Sequence, residues 1–304
     1  MAQYRISLQM IRNSSVCLLM LWCVWLVPVM AEPLLQPYVL SSNARGDMVK
    51  VVIELKEGLV AGGFELLGEY APEADRHVIV VTNDYLRNLA VAESNALFAV
   101  PQRIGITRVD GRVQVAYTNP VYQKYAYRIK GDLEPVRLQL KRILGAQKTF
   151  GSAAGLTMEK LSRYQHAVGT EQFDDFLELG DFGTQAKALE VLKQGLESGR
   201  GGVVAVFQIP IPGERTSLFG VALESGMGSD RAVIETVDIR PLKHTPRFPS
   251  LLVVRRGKVY TLHPRFSLPL DFPDLERTGR YSFTRLIRAP GAIQASLHSL
   301  LYGP

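Results

Sequence analysis

Residues 55–62 read LKEGLVAG and residues 192–199 read LKQGLESG, 137 positions apart. The likeness extends past the letters. Asp47 and Thr184 stand at the same offset, and the side-chain oxygen of each can accept from an early helix N–H. Val52, Leu55 and Leu59 return as Leu189, Leu192 and Leu196, the i, i+3, i+7 spacing of one buried helix face. Gly62 and Gly199 fall where a left-handed residue ends a helix. Gly58 and Gly195 lie inside, where glycine costs roughly 1 kcal/mol against alanine. Keeping that glycine twice predicts close packing of each helix on a neighbouring strand. Residues 47–62 and 184–199 therefore read as one helix written twice.

The surroundings repeat as well. Pro101 opens QRIGITRVDGRVQVAYTN (residues 102–119), a hairpin turning at Asp110-Gly111; Pro249 opens SLLVVRRGKVYTLH (residues 250–263), turning at Arg256-Gly257. Pairing 109 with 112 sets Asn119 opposite Gln102, and pairing 255 with 258 sets His263 opposite Ser250. The second hairpin is two residues shorter on each arm, a change that keeps every side chain on its own face. Apolar runs over residues 64–70, 78–82, 203–211 and 218–223 read as strands, and residues 83–96 as a further helix. Terminal helices are expected over 133–144, capped by Asp132, and over 292–301. The expected fold class is α+β: two related domains, each a mostly antiparallel four-stranded sheet packed by helices, joined by a helical linker. Their ranges are 45–145 and 183–304. The linker, 146–182, holds an expected helix over 156–168 and an apolar group, Phe173, Phe176, Leu177, Leu179 and Phe182, suited to packing the domains together.

Residues 1–31 read as a secretory signal peptide. Arg5 and Arg12 precede an almost wholly apolar run over 16–29, Val29 and Ala31 supply small residues before a cleavage point, and no acid appears before Glu32. Cleavage there leaves 33 basic and 29 acidic residues, too weak an excess to expect a nucleic-acid partner. Cys17 and Cys23 leave with the signal, so the mature chain has no disulfide, thiol nucleophile or thiolate metal site. The expectation is a periplasmic or secreted protein without stable membrane insertion after cleavage. If instead residues 1–31 are retained, the chain becomes a membrane-tethered structural or assembly factor.

GFELLGEY (residues 63–70), HVIVVTN (77–83) and VPQRIGITRVDGRVQVAYTNP (100–120) give the first copy, about residues 45–150, a resemblance to the domain-of-unknown-function 302 family. The second copy, about 180–303, resembles it only distantly. The resemblance implies a small domain of helix and antiparallel sheet. It implies no reaction, cofactor or substrate, and no catalytic residue carries over.

Candidate chemistry concentrates at one end of the second hairpin. Lys243, His244 and Arg247 precede it; His263, Arg265, Asp271 and Asp274 follow it. Imidazoles can ligate a metal or haem iron, and cations can hold an anion. Asn119 and Tyr117 end the first hairpin at the matching place. Against a site stands the plainer use of these groups as caps and solvated charges. Zincin, nucleophile-elbow and phosphate-loop patterns are missing from the sequence. The expected function is a non-catalytic exported module binding a small ligand (metal, haem or anion) or a protein partner. The alternative is a periplasmic enzyme with His244 or His263 as general base, holding an anionic substrate by Arg247 or Arg265.

Overall fold

The computed structural model describes residues 32–213, 215–275 and 286–303; the expected signal peptide lies outside them. Residues 33–304 form one compact unit. The first half runs β1 (Tyr38–Ala44), α1 (Met48–Ala61), β2 (Glu65–Tyr70), β3 (Arg76–Thr82), α2 (Asp84–Ala92), β4 (Gln102–Val109), β5 (Arg112–Thr118), α3 (Pro120–Ala126), α4 (Glu134–Leu144) and β6 (Lys148–Phe150). After α5 (Met158–Ser162), the second half runs β7 (Leu177–Asp181), α6 (Gln185–Glu197), β8 (Val203–Ile211), β9 (Thr216–Leu223), α7 (Asp230–Val237), β10 (Ser250–Arg255), β11 (Lys258–Thr261), α8 (Pro264–Asp271) and α9 (Ala289–Tyr302). The sheets are ordered β2-β3-β4-β5-β1-β6 and β8-β9-β10-β11-β7, and every strand pairing is antiparallel. The α+β class stands. Apart from β6, strand order and element order coincide between the halves. Among the described residues no helix is long and apolar enough to cross a membrane.

Local chemistry accounts for the elements. Asp47 Oδ1 accepts from the Val49 and Lys50 N–H groups, and Thr184 Oγ1 from Lys187 N–H, so both helices start where a side chain satisfies an orphan donor. Both hairpins turn through two left-handed residues, Asp110-Gly111 and Arg256-Gly257, the pair a two-residue turn demands. The ladders pair Val109 with Arg112 and Arg255 with Lys258.

Several expectations are corrected. The first sheet has six strands and the second five, against the four expected in each: β1, β6 and β7 lie outside the ranges read as domains, yet all three pair inside the sheets. A bulge between Leu40 and Ser42 breaks the alternation that would have marked β1. The linker helix is only Met158–Ser162, capped by Thr157, and β7 occupies the linker's end. Gly62 is not left-handed, at φ −79°; Gly63 takes that role at φ 88°. A Cβ on Gly62 would collide with Ile143 of α4. Gly58 and Gly195 likewise face helices rather than strands. Gly58 meets Ile143, while a Cβ on Gly195 would overlap the Leu300 carbonyl of α9. The helices α3, α7 and α8 are additional to those expected.

Two features join the halves. Phe173, from the connecting segment, stacks with Tyr127 and meets Phe98 and Phe266 edge-on, so one buried ring touches both halves. The second is residues 238–249, which lie on the face of the first sheet turned away from α1 and α4. In β4, Ile104 and Ile106 enter the hydrophobic core, while Arg103, Gly105 and Thr107 project to the opposite face. There Thr107 Oγ1 lies 2.6 Å from Thr245 Oγ1, and Arg76 donates to Thr245 at 3.0 Å. A Cβ on Gly105 would lie 2.7 Å from Pro246 Cδ and 2.8 Å from Thr245 Cβ. The bare Cα lets the turn lie flat on the strand. Gly105→Ala should therefore lower unfolding free energy by about 1–3 kcal/mol through overpacking. Urea denaturation checks this, and an unchanged midpoint would contradict the contact.

Candidate functional site

The turn Thr245–Arg247 lies on β4, and Arg247 and Arg103 both line a cavity of about 70 Å³. Both sheets contribute walls: Thr118 beside Arg103 from the first, Leu251 and Thr261 from the second. The two arginines are only 8% and 9% exposed, and neither Nε has a hydrogen-bond partner. Arg247 Nε lies 3.5 Å from Asp271 Oδ2, an ion pair without a hydrogen bond. Its guanidinium carbon sits 4.9 Å from the centre of the Phe248 ring. Arg103 has no side-chain hydrogen bond or ion pair among the described residues. Buried guanidiniums in that condition are costly, because burial has stripped their water without replacing it.

Other polar groups around the cavity are mostly engaged. Tyr38 donates to the Asp271 main-chain carbonyl at 3.1 Å and Tyr122 to that of Leu270 at 2.9 Å. Thr118 and Gln123 both bond Gln102. The Tyr127 hydroxyl, by contrast, has no partner among the described residues. Burial first, and the charge of Asp271 second, push its phenol above the ordinary value, so it stays a donor.

Two carboxyls are perturbed around Arg247. Burial pushes Asp271 up to about 6, against the opposing charges of Arg247, Arg103 and His244. Its side chain remains 23% accessible. Burial pushes Asp230, at the start of α7, up to about 7; Arg247's charge and hydrogen bonds from Leu223 N–H and Tyr70 Oη restrain the rise. The Tyr70 bond, 3.1 Å long, crosses from the first sheet to the second half.

Arg247 and Asp271 are the expected site residues that share this cavity. Among the others, His244 is buried against Tyr38, Phe150 and Phe272. Its Nδ1 lies 2.9 Å from Asp238 Oδ1, and its Nε2 is buried without a partner. Burial would raise the Asp238 carboxyl. The His244 hydrogen bonds and the charges of His244 and Arg76 outweigh that and hold it below the ordinary range. Lys243 donates to the Asp238 carbonyl at 2.9 Å. His263 caps α8, accepting from Arg265 N–H, and its Nε2 lies 2.9 Å from Gln294 Nε2. Burial lowers its pKa. The two histidines thus serve different elements and have no partner in common. Arg265 is exposed beside Glu171 at 3.4 Å. Asp274 accepts from Ala153 N–H at 2.6 Å, Asn119 caps α3, and Tyr117 donates to the Gly145 carbonyl at 3.1 Å. Among the described residues, no group of three His, Cys, Asp or Glu is arranged to hold a metal ion.

Arg103 and Asp230 escaped sequence reasoning. For Arg103 a signal existed. It occupies the hairpin position that Leu251 fills in the second hairpin, a charge where the matching register is apolar.

No protein-family model matches this chain, and no curated protein matches it. Among solved structures it is similar to an uncharacterized conserved protein, DUF302, from Bacillus stearothermophilus. That likeness has 12% identity and a TM-score of 0.32, and it covers 35% of this chain and 94% of the other.

The carboxyls set a pH dependence. Asp230 and Asp271 have folded values, about 7 and about 6, above the ordinary 3.8. Each therefore binds a proton more tightly in the folded state. The resulting stability is complete below about pH 4 and disappears as pH rises through 6 and 7. The two together should cost on the order of a few kcal/mol across that window. Asp238 acts oppositely: its stability is present above the ordinary value and is lost as pH falls below it. Urea unfolding from pH 4 to pH 8 should show the decline, and Asp230→Asn should flatten it. A parallel profile in that variant would contradict the assignment.

Proposed function

We propose that this protein is an exported, non-catalytic module that binds a small anion in the cavity lined by its two sheets. One observation carries the reading: two buried arginines, Arg103 and Arg247, line one cavity, and their Nε groups are unbonded. A small oxyanion there would give both arginines and the Tyr127 hydroxyl the acceptors that the protein does not supply. Clefts where two layers meet are common ligand sites. We also infer that the halves descend from one duplicated unit of the kind the domain-of-unknown-function 302 resemblance implies. Their common strand order and the paired helices at 47–62 and 184–199 support that inference. Export rests on residues 1–31, and intact mass of the secreted chain tests it, since cleavage after Ala31 leaves Glu32 first.

Titration calorimetry of the purified protein with acetate, phosphate and sulfate tests the anion reading. Binding by at least one of them is expected. Arg103→Gln should weaken it about 10–100-fold, the worth of one charged hydrogen bond of about 1.5–3 kcal/mol. Binding unchanged in that variant, or an uncharged amide binding as well as its acid, would refute the reading.

A second reading is favoured by the Asp238–His244 pair, whose geometry orients an imidazole with Nε2 free. In that case His244 is a general base and the cavity arginines hold an anionic substrate. His244→Asn would then abolish turnover while leaving anion affinity intact. Turnover retained in the folded variant would dismiss the enzyme.

A further inference from the structure

We propose that the ligand of this cavity is a short-chain monocarboxylate, bound together with one proton that it shares with Asp271. The proposal rests on the anion-binding reading and adds the ligand's class and the proton's place.

The lining is divided. Arg103, Arg247, Asp271 and Tyr127 supply the charged and hydrogen-bonding groups, while Leu251, Leu262, Leu270, Ile293, Leu297 and Phe98 supply apolar surface. A tetrahedral oxyanion needs donors on every side, and against the leucines its far oxygens would be buried unpaired. A carboxylate has its oxygens at one end and its carbon chain at the other, matching both parts of the wall. Size sets the length. About 70 Å³ of space takes only a few water-sized groups, so short acids of about four to six heavy atoms suit it. Acetate, propionate and isobutyrate span that range.

The proton follows from the charges. Arg247 already faces Asp271 at 3.5 Å, and its charge also acts on Asp230. Arg103's charge also acts on Asp271, so neither guanidinium is left to a second carboxylate alone. A second carboxylate placed beside Asp271 cannot stay ionised together with it at close range. One proton taken from solution resolves the conflict by forming a carboxyl–carboxylate hydrogen bond, and it returns to solution when the ligand leaves. The charged and titratable groups facing Asp271 are Arg103 from β4 and Arg247 and His244 from the covering segment. Tyr38, Tyr122, Tyr127 and Tyr164 face it from β1, α3 and the connections beyond α3 and α5. Burial lifts all four phenols above their ordinary value, which leaves Asp271 to take the proton. Burial already favours its protonated form.

Calorimetry of the wild-type chain with propionate, phosphate, sulfate and propionamide, in two buffers of different ionisation enthalpy, tests the class and the proton. Propionate is expected to bind at least tenfold more tightly than the inorganic anions. It should take up close to one proton at pH 8 and lose up to tenfold in affinity per pH unit above pH 7. Asp271→Asn, checked for folding by circular dichroism, should bind propionate with no proton uptake and no such slope. If that variant does not fold, the wild-type proton count still decides. Phosphate or sulfate binding as tightly as propionate overturns the carboxylate class while leaving the anion reading standing. Binding by none of the three anions overturns both. Propionate binding without proton uptake overturns the shared proton.

Discussion

The close approach of Thr245 and the Pro246 ring to the bare Cα of Gly105 is the constraint from which the rest follows. Close packing tolerates no extra methyl there, so the covering segment lies directly on β4. That closeness turns a sheet face carrying Arg76, Arg103, Thr107, Gln114 and Thr118 into buried interior. Burial then obliges each polar group to find a partner. Most do: Arg76 binds Asp238 and Thr245, Thr107 meets Thr245, and Gln114 bonds the Lys243 N–H and the Pro241 carbonyl. Arg103 does not, and it faces a cavity.

The covering segment is itself held by charge. Asp238 accepts from the His244 main chain and ring and pairs with Arg76, so one carboxylate ties both ends of the 238–244 turn to β3. Removing a single partner from so buried a set leaves the others unpaired, which costs more than any one bond contributes. The same segment, a few residues on, delivers Arg247. Structure and candidate site are therefore one arrangement, and the charge of its last cation acts on both perturbed carboxyls, Asp230 and Asp271.

Much of this fold was legible as pattern. Caps at Asp47 and Thr184, the leucine stripes and the Asp110-Gly111 and Arg256-Gly257 turns each depend on neighbours within a few residues, and local chemistry decides them. The strands β1 and β7 were not legible, because a bulge and a short Gly-containing run hide their alternation. The glycines 58, 62 and 195 were legible as close packing but not as packing on helices, since sequence names the gap and not what fills it. Arg247 and Asp271 stood out for their density of charge. Arg103 and Thr107 alternate with isoleucines, and no neighbour in sequence marks them as buried, because their cover arrives from residues 138 or more positions away.

The central claim, that the buried arginine pair holds an anion, is tested most directly by anomalous diffraction from crystals soaked in bromide. A bromide peak is expected inside the cavity, in contact with the guanidinium groups of both Arg103 and Arg247. Bromide found only at surface cations, with the cavity free of it, would mean that the arginine pair holds no anion.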